Sequence, residues 1–188
     1  ADEFARKPDF LGARVEAESG DDSLAVVASG LSRDAGVLLE YLKMAALDPA
    51  FKSEEVAKEK TRTMAELAQK KADPADLAAR LRNRLLFGEH PYGASATPES
   101  VQSLTREDLA AFHAAHFLPN NATLAVVGDV QPEEVLKQVR ATFGDWKKGE
   151  VPERKLPAFP KAGRVTFHLV DRPESVQSNV LVIGSGIA

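Results

Sequence analysis

The sequence has no cysteine, which excludes disulfides, thiolate metal sites and cysteine nucleophiles. No apolar run reaches the roughly 20 residues needed to span a bilayer as a helix. The opening residues ADEFARKPDF lack the basic start and apolar core of a secretory signal. Basic residues are scattered among acids and the net charge is −4, so nucleic-acid binding is disfavoured. No G-x-S-x-G elbow, P-loop, internal repeat or low-complexity tract occurs. None of these absences selects a compartment, and cytoplasm and periplasm are both compatible with them.

Apolar residues make up 44% of the 188 positions and charged residues 28%. That balance supports a packed core and argues against a disordered chain. The length suits one domain, or one lobe of something larger.

Local signals divide the chain. Alternation from Ala13 to Glu18, a turn at Gly20-Asp21-Asp22 and the run Ser23 to Ser29 predict a β-hairpin. Ser32 is a plausible cap for a helix over 33–47 with a buried stripe of Val37, Leu38, Tyr41, Leu42 and Met44 or Ala45. Ser53 caps a second helix running to about Ala72. Asp73-Pro74 restarts the chain into a third through Leu77, Leu81, Leu85 and Leu86. A Pro/Gly loop follows over 89–96, and Thr97-Pro98-Glu99 begins a short helix.

The region from Leu104 to Trp146 has the clearest boundaries. Thr105 and Asp108 sit at capping-box spacing. Leu109, Phe112, His113 and His116 or Phe117 recur at helical period until Pro119-Asn120-Asn121 stops the helix. Thr123 to Val127 is apolar on both faces, which predicts a strand covered within a sheet. Pro132 then opens a helix whose first-turn acids, Glu133 and Glu134, suit its dipole. Its expected buried stripe is Val135, Leu136, Val139 and Phe143. Beyond Trp146, prolines and charges mark a linker over 147–163, and 164–170 and 179–183 look like strands of a following unit.

Four segments carry a family resemblance: FGEHPYG from Phe87 to Gly93, LTREDLAAFHAAHFLPNNATLAVVGDV from Leu104 to Val130, FGDW ending at Trp146, and VDRPESVQS from Val170 to Ser178. In order and spacing the chain resembles the pitrilysin/insulinase family of zinc peptidases, which includes the mitochondrial processing peptidases. The resemblance covers roughly Ala1 to Ser178. It implies an α+β lobe, an antiparallel sheet with helices packed on one face, forming one lobe of a peptidase clam shell. On that reading 1–146 is the family lobe, incomplete at its N-terminus, 147–163 is a linker, and 164–188 supplies the first strands of a following lobe.

Zinc in this family is held by H-x-x-E-H on one helix and a glutamate on a later one, with the motif glutamate activating metal-bound water. None of the four histidines, His90, His113, His116 and His168, forms that motif. His113 and His116 stand three apart with no acid between them. A packed helix surface accounts for that pair, and a small metal site in an unrelated α+β domain is the rival reading. His90 and His168 read as structural. The family's ligand glutamate aligns with Glu66, and a supporting second acid aligns with Glu59. Seven residues apart, they differ by only about 20° around a helix, beside a stripe of Val56, Thr63, Met64 and Leu67. Arg62 lies between them, so ordinary surface ion pairs explain the same three residues.

The family spacing puts the histidine motif upstream of Ala1, so the expectation is a piece of a longer zinc-dependent metalloendopeptidase, inactive alone. Its partners would be a peptide substrate and the remaining lobe or a sister subunit. The alternative is a non-catalytic partner or scaffold subunit of the same fold that binds peptide or a sister subunit without metal.

Overall fold

The computed structural model describes residues 12–161, 165–171, 173, 176 and 180–181. The chain clusters into two compact units, one of Ala1–Phe51 with Glu107–Pro152, the other of Lys52–Arg106 with Glu153–Ala188.

In the first unit, β1 (Arg14–Ser19) and β2 (Leu24–Ser29) form an antiparallel pair with Arg14 opposite Ser29 and Ser19 opposite Leu24. Gly20 N–H donates to the carbonyl of Ser23 at 2.8 Å and closes the hairpin. Helix α1 (Ala35–Leu47) packs against β2. Its inward side chain is Leu39, which is buried together with Ala13. The expected stripe is rotated, because Val37 and Met44 are exposed while Leu38, Tyr41, Leu42 and Ala45 are half-buried. Ser32 opens a 3₁₀ turn, Ser32–Asp34, rather than capping the helix.

Helix α5 is Arg106–His116 and α6 is Pro132–Phe143, the latter packed against α1. Pro132 occupies the first turn of α6 with Glu133 and Glu134, as the sequence predicts. The expected stripe of α6 holds in part: Val135, Val139 and Phe143 are half-buried, but Leu136 is exposed, and Thr142 is buried and donates to Glu40 Oε1 at 3.1 Å. Gln138 also turns inward, and its Oε1 is buried without a hydrogen-bond partner. The buried Thr142 hydroxyl thus finds its acceptor on α1.

The segment from Thr123 to Val127 departs from expectation. Among the described residues it pairs with no strand, and Leu124, Val126 and Val127 are exposed, Val127 almost fully. Apolar composition marks a segment fit for a sheet interior, but a strand also needs a neighbouring backbone to satisfy its polar groups. The described sheet is the two-stranded hairpin.

In the second unit, α2 (Ser53–Ala72) packs against α3 (Pro74–Phe87) and α4 (Pro98–Ser103). Asp73 caps α3 by accepting from Ala75 N–H at 2.7 Å, with Pro74 in the first turn. Gly88 ends α3 at φ 57°, a backbone conformation costly for any residue with a Cβ. Thr97 and Ser100 form a reciprocal capping box for α4. Ser53 is the first residue of α2 and makes no side-chain cap.

Residues 147–161 have no regular secondary structure. In the first unit Asn120 brackets Gly149, donating to its carbonyl at 3.0 Å and accepting from its N–H at 3.2 Å. In the second, Phe159 lies against Phe87 and His90 with ring centroids 5.6 and 4.7 Å away. Residues 165–171 form no strand, and Val165, Phe167 and Leu169 are exposed. Residues 1–11, 164, 179 and 182–183 lie outside the described residues, and with them part of both expected C-terminal strands.

Candidate functional site

Helix α2 has strong helix formers along most of its length, Glu54 and Glu55 in the first turn and Lys70 and Lys71 in the last. Val56, Thr63, Met64 and Leu67, the stripe expected from the sequence, are half-buried, as is Lys60. Lys60 lies on the same face. Its Nζ donates to the carbonyls of Gln102 at 2.7 Å and Leu104 at 2.8 Å, satisfying acceptors left open at the end of α4. Sequence reasoning missed Lys60, although a lysine set four residues from both Val56 and Met64 was the available signal.

Glu59, Arg62 and Glu66 flank that stripe with side chains 59%, 67% and 51% exposed. Arg62 is shared unequally. Its Nη2 lies 2.5 Å and its Nε 3.2 Å from Glu59 Oε1, whereas its Nε is 3.8 Å from Glu66 Oε1. The hydrogen bond and charge of Glu59, followed by the charge of Glu66, raise the Arg62 pKa above its ordinary value. Glu59 is therefore the engaged carboxylate and Glu66 the looser one. At this exposure, ion pairs contribute little to stability.

Three of the four histidines lie against neighbouring aromatic rings. His113 Nε2 lies 2.7 Å from the Ala46 carbonyl oxygen, and its ring stacks on Phe117 at 4.3 Å and meets Phe51 edge-on at 5.8 Å. His116 lies 4.4 Å from the Phe112 ring. His90 is buried, accepts from Tyr92 N–H through Nδ1 at 3.2 Å, and packs among Phe87, Tyr92 and Phe159. His168 is exposed, with Nε2 3.2 Å from Thr166 Oγ1.

Among the described residues no three His, Cys, Asp or Glu side chains group closely enough to hold a metal. A tetrahedral zinc centre needs at least three protein donors. The residues of α2 do not fit one by themselves, and two carboxylates sharing an arginine can offer no more than part of a ligand set. No helix among the described residues is long and apolar enough to cross a membrane.

The family description "Peptidase M16 inactive domain" matches residues 103–186. An uncharacterized zinc protease of Mycobacterium leprae is 28% identical over 144 residues, covering 76% of this chain and 32% of its own length. An uncharacterized zinc protease of Streptomyces coelicolor is 26% identical over 188 residues, covering 96% of this chain and 40% of its own. Among solved structures, the peptidase M16 inactive domain from Pseudomonas fluorescens superposes with a TM-score of 0.74 at 26% identity, covering 85% of this chain and 40% of that one. Together these matches make the chain similar to zinc proteases and to the peptidase M16 inactive domain, and support an α+β fold. It lacks the family's H-x-x-E-H motif. It spans about a third to two fifths of the length of these curated relatives.

Proposed function

We propose that this chain is part of a zinc-dependent metalloendopeptidase and contributes one carboxylate, Glu66, to a metal whose histidine donors come from another segment. Glu59 supports that site by occupying Arg62, which leaves the Glu66 carboxylate less encumbered. The unequal sharing of Arg62, 2.5 Å to Glu59 against 3.8 Å to Glu66, is the observation that carries this reading. The zinc protease names of the curated relatives support the choice of metal. Peptide is the proposed substrate, and the remaining lobe or a sister subunit is the proposed partner. The chain alone does not hydrolyse peptide on this reading, because its described residues lack a ligand set.

The test is expression of the whole encoding reading frame, with and without Glu66→Gln, followed by metal analysis and cleavage of an unstructured peptide. One bound zinc in the wild type, lost or weakened by more than about tenfold in the variant, supports the assignment. Equal zinc content in both removes Glu66 from the ligand set.

A second reading, favoured by the words "inactive domain" in the family description, is a non-catalytic partner or scaffold subunit without metal. Neighbouring coding sequence without H-x-x-E-H, together with a zinc-free product, supports that reading and defeats the first.

A further inference from the structure

We propose that a cleft in the second unit, between α3 and the turn at 93–95, binds a carboxylate held by Arg80. The cleft has a volume of about 450 Å³ and is lined by Arg80, Leu81, Arg84, Gly93, Ala94 and Ser95. That volume lies within the range of small-ligand pockets. Arg80 and Arg84 are four apart on α3 and so share one helical face.

The two arginines differ in what they already hold. Arg84 Nη1 donates to the Gly88 carbonyl at 2.8 Å, and its Nη2 pairs with Glu89 at 2.5 Å. Arg80 is half-buried and has no hydrogen bond or ion pair among the described residues. Asp76, one turn earlier on α3, does not pair with it. With Glu89 offsetting Arg84, the wall carries one positive charge left uncompensated among the described residues.

The opposite wall limits what else can bind. The N–H groups of Gly93 and Ala94 already donate to the carbonyls of His90 and Pro91 at 2.8 and 3.0 Å. Ser95 is exposed, and its hydroxyl and N–H have no hydrogen-bond partner among the described residues. One open guanidinium beside one hydroxyl matches a planar monoanion, whose two oxygens fit the guanidinium fork. A phosphate dianion would be left half-neutralised. Leu81 and Ala94 give the carboxylate's carbon stem an apolar surface. The carboxylate belongs either to a small organic acid or to a peptide, as an acidic side chain or a free C-terminus. This site is separate from Glu66 and does not depend on zinc.

The test is amide and arginine side-chain NMR of the chain titrated with N-acetyl-alanyl-leucine, its C-terminal amide, sodium acetate and inorganic phosphate. Saturable shifts at Arg80 Nε–H, Ala94 and Ser95 with the free acid, absent with the amide, support the site. Acetate saturating the same signals as tightly assigns it to small acids, whereas weaker acetate binding assigns it to peptide. Arg80→Gln should weaken binding by about tenfold or more. Equal shifts with acid and amide, tighter binding of phosphate, or undiminished binding in a folded Arg80→Gln variant would overturn the proposal.

Discussion

The Nε2 of His113 donates to the carbonyl oxygen of Ala46 at 2.7 Å, although the two residues are 67 positions apart. A carbonyl only accepts, so the hydrogen is on Nε2. The bond joins α5 to the end of α1 and uses one ring nitrogen in packing. His113→Ala should lower unfolding free energy by about 1–3 kcal/mol through the lost hydrogen bond and ring contacts. Urea denaturation checks this, and a midpoint equal to that of the wild type would show that the contact contributes nothing.

His116 has the bland role the sequence favoured, an imidazole lying on the Phe112 ring at 4.4 Å. Zinc titrated into the isolated chain should therefore bind with the same low affinity before and after His116→Ala. A clear loss of affinity in the variant would revive the rival reading of a small metal site at His113 and His116.

Gly93 is held by a close approach. A Cβ at this position would lie 2.6 Å from the Gly88 carbonyl oxygen and 3.3 Å from the Gly88 nitrogen. Both are backbone atoms and have little room to yield, so Gly93→Ala should cost about 1–3 kcal/mol. The buried His90 among Phe87, Tyr92 and Phe159 would be disturbed with it. A melting temperature within error of the wild type would contradict the close packing.

Glu99 in the first turn of α4 has its pKa lowered, chiefly by its own backbone N–H and then by the Thr97 hydroxyl, with a smaller contribution from Lys71. A lowered folded value means the stabilisation is present above the unfolded value and is lost as pH falls through the folded one. The wild type should be more stable than Glu99→Gln near neutral pH, with the gap closing in acid. Thermal melts of both proteins between about pH 7 and pH 3 test the sign, and a gap that widens in acid would refute it.

Boundaries set by local chemistry were legible in the sequence. Asp73-Pro74, Thr97-Pro98 and Pro132 begin helices where expected, because a proline at the first turn and a short polar cap act within a few residues. Helix rotation was less legible. The α1 stripe omitted Leu39, and the α6 stripe included the exposed Leu136 while missing Thr142. Hydrophobic periodicity gives an amphipathic face but not the partner it meets, and here Thr142 meets Glu40. The α2 stripe was read correctly because its apolar residues are few and its charged ones many.

The sequence by itself determined where α3, α4 and α6 begin, and that Glu59, Arg62 and Glu66 share a side of one helix. All of these follow from bond geometry and short-range capping. Tertiary structure alone decided which carboxylate holds Arg62 more tightly, that His113 bonds to Ala46, that Lys60 binds the end of α4, and that Arg80 lines a cleft without a polar partner among the described residues. Those relations join residues far apart in the chain or select one rotamer among several, and no local pattern encodes a distance between groups that only folding brings together.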